Sequence, residues 1–207
     1  MIVVHHLENS RSQRILWLLE ELGLDYEVRR YSRDPKTMLA PPELARIHPL
    51  GKSPVIEDGA HILAETGAIV EYLVEREGGR LGPPARRESV LRYRQFVHYA
   101  EGSLMPVLFG LLIVRRLGIL GRPARPTLLK MAARHLDWLE SELSGRDWFA
   151  GEEFSAADIM MSFPLEVARG RAGLGAERPN LIDWLERLHA RPAYAAALRK
   201  GGAYAYA

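Results

Sequence analysis

Apolar side chains in the first part of the chain follow two different spacings. "MIVVHHL" at the N terminus and "DYEVRRY" from Asp25 are short apolar or alternating runs, which are typical of strands. Between them the spacing is helical and Gly23 follows as a stop, with inward positions at Ile15, Leu18, Leu19 and Leu22. The pattern predicts a strand, a helix over Ser12–Leu22 and a second strand.

A second set of elements follows a proline-rich loop, "RDPKTMLAPPELARIHPLG". The segments "SPVIED" and "HILAE" flank the pair Asp58-Gly59, which favours a hairpin turn, and helical spacing returns over residues 66–77. The order is therefore strand, helix, strand, then strand, strand, helix. By the rules that govern short connections, this order predicts a compact α/β unit.

Strand signals end at "GGRLGPPARR", and every later apolar run has a helical period. We predict an α/β domain over residues 1–80, a linker over 81–87 and an all-α domain over 88–207. The first helix of the second domain is predicted over residues 86–117 with a kink at Pro106, because proline removes one bond of the helical ladder. Further helices are predicted over residues 128–143, 155–169 and 180–188, and from Pro192.

Composition narrows the functional classes. The chain has 207 residues, 47% hydrophobic content and a formal charge of +2, which is enough apolar content for a large core and too little charge to predict nucleic-acid binding. It has no cysteine, which excludes disulfides, a cysteine nucleophile and thiolate metal sites. There is no signal-peptide pattern and no uninterrupted apolar run of the roughly 18 residues that a membrane helix needs. We expect a cytoplasmic protein that binds neither membrane nor metal.

The segment "FSAADI" predicts the start of a helix. Ser155 and Asp158 have the spacing of a capping box, and Phe154 and Ile159 occupy the positions of a hydrophobic staple. We interpret this segment as a folding signal rather than a ligand site.

The stretch "GKSPVIEDG" contains the first candidates for ligand contacts. Pro54 stands at the first residue of a predicted strand, where a cis X-Pro bond would turn the backbone of Ser53 outward to an extended peptide. An ordinary trans proline that protects an edge strand is the alternative. Lys52 is either a cation for an anionic ligand group or a solvated surface lysine.

Further candidates lie at two predicted helix starts. Ser10 has a glutamine three residues later, so its hydroxyl can cap the first helix and still donate to an anion. Thr66 offers a hydroxyl beside free helix N–H groups for a carboxylate, and Glu65 offers a carboxylate for an ammonium group. Capping alone is the alternative at both places. Together these positions fit an extended peptide with an amino-acid end and an anionic tail, which is the shape of glutathione.

The chain resembles the cytosolic glutathione transferases over nearly its whole length. The phrases that carry the resemblance are "NSRSQRILWLLEELGLDYEV", "APPELARIHPLGKSPVIEDG", "ETGAIVEYL" and "FSAADI", and the first two are similar to the serine-type bacterial and fungal branch related to yeast glutathione transferase one. The resemblance implies a thioredoxin-like N-terminal domain with a mixed four-stranded sheet and an all-α C-terminal helical bundle. It also implies a homodimer and glutathione as co-substrate, without a metal.

The resemblance assigns roles to the candidate residues. In this family the proline matching Pro54 is cis, and the backbone of the residue matching Ser53 pairs with the cysteinyl unit of glutathione. The positions matching Glu65 and Thr66 hold the γ-glutamyl end, and the position matching Lys52 lies near the glycyl carboxylate.

The resemblance also implies contacts in the helical domain. In several classes an acidic residue from the second subunit reaches the glutathione ammonium, and Glu101 is the candidate here. The electrophile pocket of the family lies between the domains, so plausible wall residues, for which a core role is the alternative, are Tyr99, Phe109, Leu112 and Arg115.

The catalytic position of serine-type members maps onto Ser10, with Asn9 and Ser12 as fallback candidates. No tyrosine occurs before Tyr26, which disfavours the tyrosine-type classes. A free thiol has a pKa of about 8.5 and reacts as its thiolate. A hydrogen bond to the charged sulfur, about 1.5–3 kcal/mol, and a helix N-terminus, about 0.3–1 kcal/mol, suffice to lower that pKa by about two units without a base. We therefore expect Ser10 to donate to the glutathione sulfur.

Two hypotheses remain at this point. The first is an enzyme that transfers glutathione to a small hydrophobic electrophile, or reduces peroxides with the same thiolate. The second is a non-catalytic interaction module, because this fold also serves such proteins. The intact ligand positions in "GKSPV" and "AETGA" favour the enzyme, since a pure interaction module has no need for them.

Overall fold

The computed structural model describes residues 1–207, and its N-terminal part contains a mixed four-stranded sheet. The strands are β1 (Ile2–Leu7), β2 (Tyr26–Tyr31), β3 (Val55–Asp58) and β4 (His61–Ala64). They lie in the order β2-β1-β3-β4, with β1 parallel to β2 and antiparallel to β3, and with β3 antiparallel to β4. The predicted sheet is confirmed.

Three helices accompany these strands: α1 (Ser12–Leu22), α2 (Glu43–Ile47) and α3 (Thr66–Arg76). Helices α1 and α3 were predicted from their apolar spacing, and Gly23 ends α1 with a φ of 63° as its sequence position suggested. Helix α2 lies inside the segment predicted as loop. It has five residues and only Leu44 is buried, so it is too short to show a helical period.

The later part of the chain is helical, as predicted. It contains α4 (Arg87–Tyr99), α5 (Met105–Arg116), α6 (Arg125–Glu142), α7 (Ala156–Arg171), α8 (Pro179–His189) and α9 (Pro192–Gly201). Between α4 and α5 the residues Ala100–Leu104 form a π-helical turn, in which the N–H of Met105 donates to the carbonyl of Ala100. Because Pro106 lies two residues after this turn and has no N–H to donate, the predicted disturbance of the long helix takes the form of a π turn.

The chain divides into two compact units. The first contains Met1–Gly82, His189–Ala205 and Ala207, and the second contains Pro83–Leu188 and Tyr206. Helix α9 therefore belongs to the α/β unit, whereas the predicted all-α domain ran through it to residue 207. The rings of Trp17 on α1 and Tyr194 on α9 meet edge to face at 5.2 Å. The sequence showed that α9 has an apolar face, but not that α1 would cover it.

One helical run, Arg87–Arg116, is long and apolar enough to cross a membrane by length and composition alone. Within the structure, 44% of its most apolar window is buried. Phe96, Leu104 and Leu108 have no exposed surface, so this run supplies core side chains to the helical unit.

The predicted capping box at the start of α7 is confirmed, with Ser155 and Asp158 bonding reciprocally. The carboxylate of Asp158 also accepts the N–H of Phe149 at 2.9 Å and the indole N–H of Trp184 at 3.2 Å. Burial raises the pKa of Asp158 to about 6, although these donors act in the opposite direction. Asp158 thus joins three segments of the helical unit, which is more than its capping role required.

Candidate functional site

The register of the sheet gathers the predicted ligand positions of the first unit at one end. His5 of β1 pairs with Val55 of β3, and Val55 pairs with Ala64 of β4. The end of β1, the beginning of β3 and the end of β4 therefore lie side by side. Helices α1 and α3 also begin at this end, so two helix N-termini bring free N–H groups and partial positive charge to it.

Ser53 extends the pairing of β1 and β3 through its side chain. Its hydroxyl donates to the carbonyl of His5 at 2.8 Å and accepts the N–H of Leu7 at 3.2 Å. Its own backbone N–H and C=O make no hydrogen bond within the chain. The Ser53–Pro54 peptide bond is cis, and Pro54 is buried. The backbone of Ser53 can therefore pair with an extended peptide as a sheet edge does.

Glu65 and Thr66 lie where β4 passes into α3. Glu65 has a φ of 70°, a conformation that costs a non-glycine residue about 1–3 kcal/mol and is found mainly at functional sites. Its carboxylate is exposed and has no partner within the chain. Thr66 is buried as the first residue of α3. The first bond of this helix runs from the N–H of Ile69 to the carbonyl of Glu65, so earlier N–H groups are open to a carboxylate.

Lys52 precedes this edge and is exposed, without an ion pair inside the chain. Gly51 before it has a φ of 56°, so the backbone turns here in a conformation that favours glycine. Lys52 is therefore an exposed cation beside the free backbone of Ser53.

The predicted cap at Ser10 forms without the return bond from Gln13. The residue that precedes α1 is Arg11, which has helical backbone angles and makes no side-chain cap. The amide of Gln13 is buried without a hydrogen bond and does not return to Ser10. The hydroxyl of Ser10 accepts the N–H of Ser12 at 3.3 Å, which is the bond of an N-cap at the start of α1.

A buried chain of hydrogen bonds links Ser10 to His6, a residue of β1 that was not among the predicted site residues. The hydroxyl oxygens of Ser10 and Ser12 lie 2.8 Å apart, and Ser12 Oγ lies 2.9 Å from His6 Nδ1. The other ring nitrogen, Nε2, faces the backbone of Gly201 at the end of α9. All three side chains are buried. His6 lies in β1 only six positions before Ser12, and this proximity was the signal that could have found it.

The partners of this chain fix the direction of its hydrogens. Burial, followed by the charge of Arg30, lowers the pKa of His6 to about 4, so at neutral pH the ring has one N–H. A carbonyl can only accept, so we place the ring hydrogen on Nε2, toward Gly201, which leaves Nδ1 as an acceptor. The hydroxyl of Ser12 then has two acceptors, His6 Nδ1 at 2.9 Å and the carbonyl of Leu7 at 3.3 Å. Its single hydrogen is used by either of them, and we therefore assign the hydrogen between the two serines to Ser10. The hydrogen of Ser10 must turn outward before it can serve an anion.

Asn9 is held by the last residues of the chain. Its side-chain oxygen accepts the N–H of Ala205 at 2.7 Å, and its φ is 51°. Arg33 donates to the carbonyls of Glu8 at 3.2 Å and Asn9 at 3.4 Å, which fixes the loop between β1 and α1. The amide nitrogen of Asn9 remains a possible donor to a ligand. No pattern in the sequence indicated the role of Arg33.

The predicted wall residues of the helical unit do not line one cavity. Leu112 and Arg115 line a cavity of about 310 Å³, whereas Tyr99 lines another of about 340 Å³ with His135. The phenol of Tyr99 is hydrogen-bonded to His135 of α6. This bond holds Tyr99 at a different cavity from Leu112 and Arg115. Phe109 lines neither cavity and is 52% exposed.

Glu101 lies in the π-helical turn and is half-buried. No group of three or more His, Asp or Glu side chains is arranged to hold a metal ion.

Comparison with known proteins agrees with this architecture. Residues 1–75 match the N-terminal domain of glutathione S-transferases, and residues 122–187 match their C-terminal domain. The chain is 35% identical to glutathione S-transferase 3 of Schizosaccharomyces pombe, over 97% of this chain and 88% of that protein. It is 33% identical to glutathione S-transferase 1 of Saccharomyces cerevisiae, over 98% and 96%. A crystal structure of a glutathione S-transferase from Actinobacillus pleuropneumoniae superimposes with a TM-score of 0.89 at 35% identity, covering 100% of this chain and 95% of that one. The chain belongs to the glutathione S-transferase family, in the branch that includes these fungal enzymes.

Proposed function

We propose that this protein binds glutathione at the end of its sheet and transfers it, as the thiolate, to a small hydrophobic electrophile. The observation that carries the proposal is the unpaired backbone of Ser53 at the same end of the sheet as the Ser10 hydroxyl. The backbone of Ser53 binds an extended peptide, and the hydroxyl of Ser10 donates a hydrogen bond to the sulfur of that peptide. The naming of its relatives as glutathione S-transferases supports the choice of peptide.

Each part of glutathione finds a complementary group in the first unit. The cysteinyl backbone pairs with the N–H and C=O of Ser53. The γ-glutamyl carboxylate binds the N-terminus of α3 and the hydroxyl of Thr66, while its ammonium binds the unpartnered carboxylate of Glu65. Lys52 neutralises the glycyl carboxylate. Glu101 of a second subunit remains our candidate for a further contact with the ammonium.

The chemistry follows from stabilising the charged sulfur. Ser10 turns its hydrogen from Ser12 to the sulfur, and the N-terminus of α1 adds partial positive charge, so the thiol loses its proton to solvent near neutral pH. The thiolate then forms a carbon–sulfur bond while the leaving group departs with its electron pair. With a pKa of about 4, His6 is too weak a base at neutral pH to take the thiol proton. Its role is to orient Ser12.

Binding and turnover are tested separately. Calorimetry with glutathione and with S-methylglutathione should show binding of both, because the main contacts do not involve the sulfur. Turnover is then measured with an aryl halide, an epoxide and an organic hydroperoxide, the last of which reports the peroxidase alternative. No heat with either peptide would overturn the proposal, and binding without turnover of any substrate would favour the interaction module.

We further propose that the protein works as a cytoplasmic homodimer. Exposed apolar side chains on two elements support self-association: Ile62 on β4 is 53% exposed and Leu91 on α4 is 55% exposed. Replacing either with glutamate should shift the mass measured by light scattering to that of one chain. A wild-type protein that already has the mass of one chain would refute the dimer.

A further inference from the structure

Exposed apolar side chains are concentrated at the C-terminal end of α5 and in the turn that follows it. The chain has twelve large hydrophobic residues that are exposed, and four of them lie within residues 113–125, the segment that we call the tip: Ile113, Leu117, Ile119 and Leu120. Ile119 and Leu120 are 76% and 83% exposed, and they line neither of the two cavities described above. A cluster of exposed apolar side chains of this kind marks a surface that contacts a partner.

An ordered turn holds these side chains outward. After α5 the chain forms a 3₁₀ turn over Gly118–Gly121, in which the N–H of Leu120 donates to the carbonyl of Leu117 at 3.2 Å. A Cβ atom on Gly121 would lie only 2.0 Å from the carbonyl oxygen of Val114, so only glycine allows the turn to fold this closely onto α5. The exposed aliphatic side chains of the turn are therefore presented by folded backbone and not by a loose loop.

The tip carries four positive charges and no negative one. It contains no Asp or Glu, and its cations are all exposed: Arg115, Arg116, Arg122 and Arg125. None of the four forms an ion pair or a side-chain hydrogen bond within the chain. The surrounding sequence is equally one-sided, because residues 102–136 contain six basic residues and no acidic one. The tip therefore attracts anionic surfaces.

We propose that the tip binds the surface of a bilayer that contains anionic phospholipids. Ile119 and Leu120 enter the boundary between headgroups and acyl chains, and the arginines bind lipid phosphates at the level of the headgroups. The sequence predicted no membrane binding because it lacks an apolar run long enough to span a bilayer, but a contact with the bilayer surface needs no such run. Every residue of the tip lies in the second unit, so the proposal does not depend on the glutathione site.

The charge of the tip distinguishes a bilayer from a second copy of the chain. A two-fold contact through the tip would place four unpaired arginines against four others, and like charges across an interface are unfavourable. A small ligand is also a poor match, because Ile119 and Leu120 project from the turn and line no described cavity. An acidic protein is a weaker match than a bilayer, since the tip has no aromatic residue and protein interfaces are anchored mainly by Trp, Tyr and Arg.

Vesicle binding tests the lipid requirement. The full chain is sedimented with vesicles of phosphatidylcholine alone and with vesicles of equimolar phosphatidylcholine and phosphatidylglycerol. We expect the anionic vesicles to bind at least about tenfold more tightly, because each cation near an anionic surface contributes to binding. Added sodium chloride should weaken this binding. Equal binding to the two kinds of vesicle, or no binding to either, would overturn the proposal.

A matched pair of double variants tests the apolar part of the tip. Ile119→Ser with Leu120→Ser removes two neighbouring apolar side chains from the tip, and Met38→Ser with Leu39→Ser removes two neighbouring exposed apolar side chains from the first unit. Only the tip variant should weaken the binding of anionic vesicles, by about tenfold or more. Equal losses in both variants would refute the location. Thermal unfolding near the wild-type temperature shows that each variant is folded.

A second matched pair tests the charges. Arg122→Gln with Arg125→Gln removes two cations from the tip, and Lys36→Gln with Arg46→Gln removes two exposed cations from the first unit. We expect about tenfold weaker binding of anionic vesicles for the tip variant and little change for the other. Equal losses would assign the binding to the net charge of the whole surface and refute the tip.

A fluorescent label separates lipid from the other partners. Because the chain has no cysteine, Leu120→Cys and Leu39→Cys each take a single environment-sensitive dye. On anionic vesicles the emission should shift to the blue at position 120 and stay unchanged at position 39. Binding of polyglutamate as tight as that of vesicles, without a shift at position 120, would assign the tip to an acidic protein. A lower mass by light scattering for Ile119→Ser with Leu120→Ser, in a protein that does not bind vesicles, would assign it to a second copy. Either result would overturn the proposal.

Discussion

The hydroxyl oxygens of Ser10 and Ser12 lie 2.8 Å apart, and we assign the hydrogen between them to Ser10. The hydrogen of Ser12 is directed to His6 Nδ1 or to the carbonyl of Leu7. A glutathione thiolate and Ser12 therefore compete for the same hydrogen. This competition gives the two neighbouring serines opposite effects on the sulfur, although both are candidates for the same role.

Removing each serine should shift the pKa of bound glutathione in opposite directions. Ser10→Ala removes the donor and should raise the thiol pKa by about one to two units, while glutathione affinity changes only a few fold. Ser12→Ala removes the competing acceptor and should lower the thiol pKa by about 0.5–1 unit. The measurement is a titration of thiolate ultraviolet absorbance in the bound complex.

Asn9→Gly is the control for this pair. Glycine accepts the φ of 51° at this position, so the variant removes the amide with little change in the backbone. We expect the thiol pKa to stay unchanged. If the thiol pKa rose in Asn9→Gly and stayed unchanged in Ser10→Ala, the donor to the sulfur would be Asn9. If the thiol pKa rose in Ser12→Ala, the donor would be Ser12.

Glu65→Gly should make the protein more stable and its glutathione binding weaker. Glycine relieves the positive φ of Glu65, and we expect a net gain of about 1 kcal/mol after the added flexibility of the unfolded chain is subtracted. The same change removes the carboxylate that we assign to the ligand ammonium, which should cost about tenfold in affinity. Thermal unfolding and calorimetry measure the two effects.

Glu65→Gln separates the effect of the lost carboxylate charge from the effect of the relieved backbone strain, because it removes the charge and keeps a side chain. It should lose affinity like the glycine variant without gaining stability. Unchanged affinity in both variants would remove Glu65 from the binding site, and a loss of stability in Glu65→Gly would show that its conformation is not strained.

Two buried groups should give opposite pH dependences of stability. The pKa of His6 is about 4 when folded and about 6.5 when unfolded, so its contribution is complete above pH 6.5 and is lost as the pH falls toward 4. The pKa of Asp158 is about 6 when folded against 3.8 when unfolded, so its contribution is complete below pH 3.8 and is lost as the pH rises through 6. These two opposing contributions, each on the order of 3 kcal/mol, nearly cancel between pH 4 and pH 6.

Asp158→Asn should reveal the contribution of His6. Between pH 6.5 and pH 4.5 the variant should lose more stability than the wild type does, whatever its stability at neutral pH. Denaturant titrations at the two pH values measure both differences. Parallel pH profiles of variant and wild type would contradict one or both pKa assignments.

The capping box at α7 illustrates how far a sequence pattern reaches. The spacing of Ser155 and Asp158 indicated two local hydrogen bonds, and a lost cap costs about 1 kcal/mol. The bonds from Phe149 and Trp184 come from residues nine and 26 positions away, which no local pattern reports. Asp158→Ala should therefore cost about 3 kcal/mol or more, against about 1 kcal/mol for Ser155→Ala, by chemical denaturation at neutral pH. Equal losses of unfolding free energy in the two variants would show that Asp158 stabilises only the start of α7.

The same distinction separates what the sequence predicted from what it did not. Helices α1 and α3 and the four strands have strong periods of their own, so their positions followed from the pattern. The burial of α9 against α1 and the bond from Ser12 to His6 depend on which surfaces meet, and periodicity does not report that. Ser10 was singled out correctly as a residue that caps the start of α1, but the local pattern did not show that Gln13 would leave it or that Ser12 would link it to a histidine in β1.

The exposed cation at Lys52 gives a prediction that depends on salt. Lys52→Gln should weaken glutathione binding by about two- to fivefold at low ionic strength, the value of one exposed ion pair. Because salt screens an exposed pair, the difference between variant and wild type should shrink as sodium chloride is added. Lys36→Gln is the control, since this lysine is also exposed and has no assigned role. An equal loss in the control, or a loss in Lys52→Gln that salt does not reduce, would show that Lys52 does not act as the counter-charge of the glycyl carboxylate.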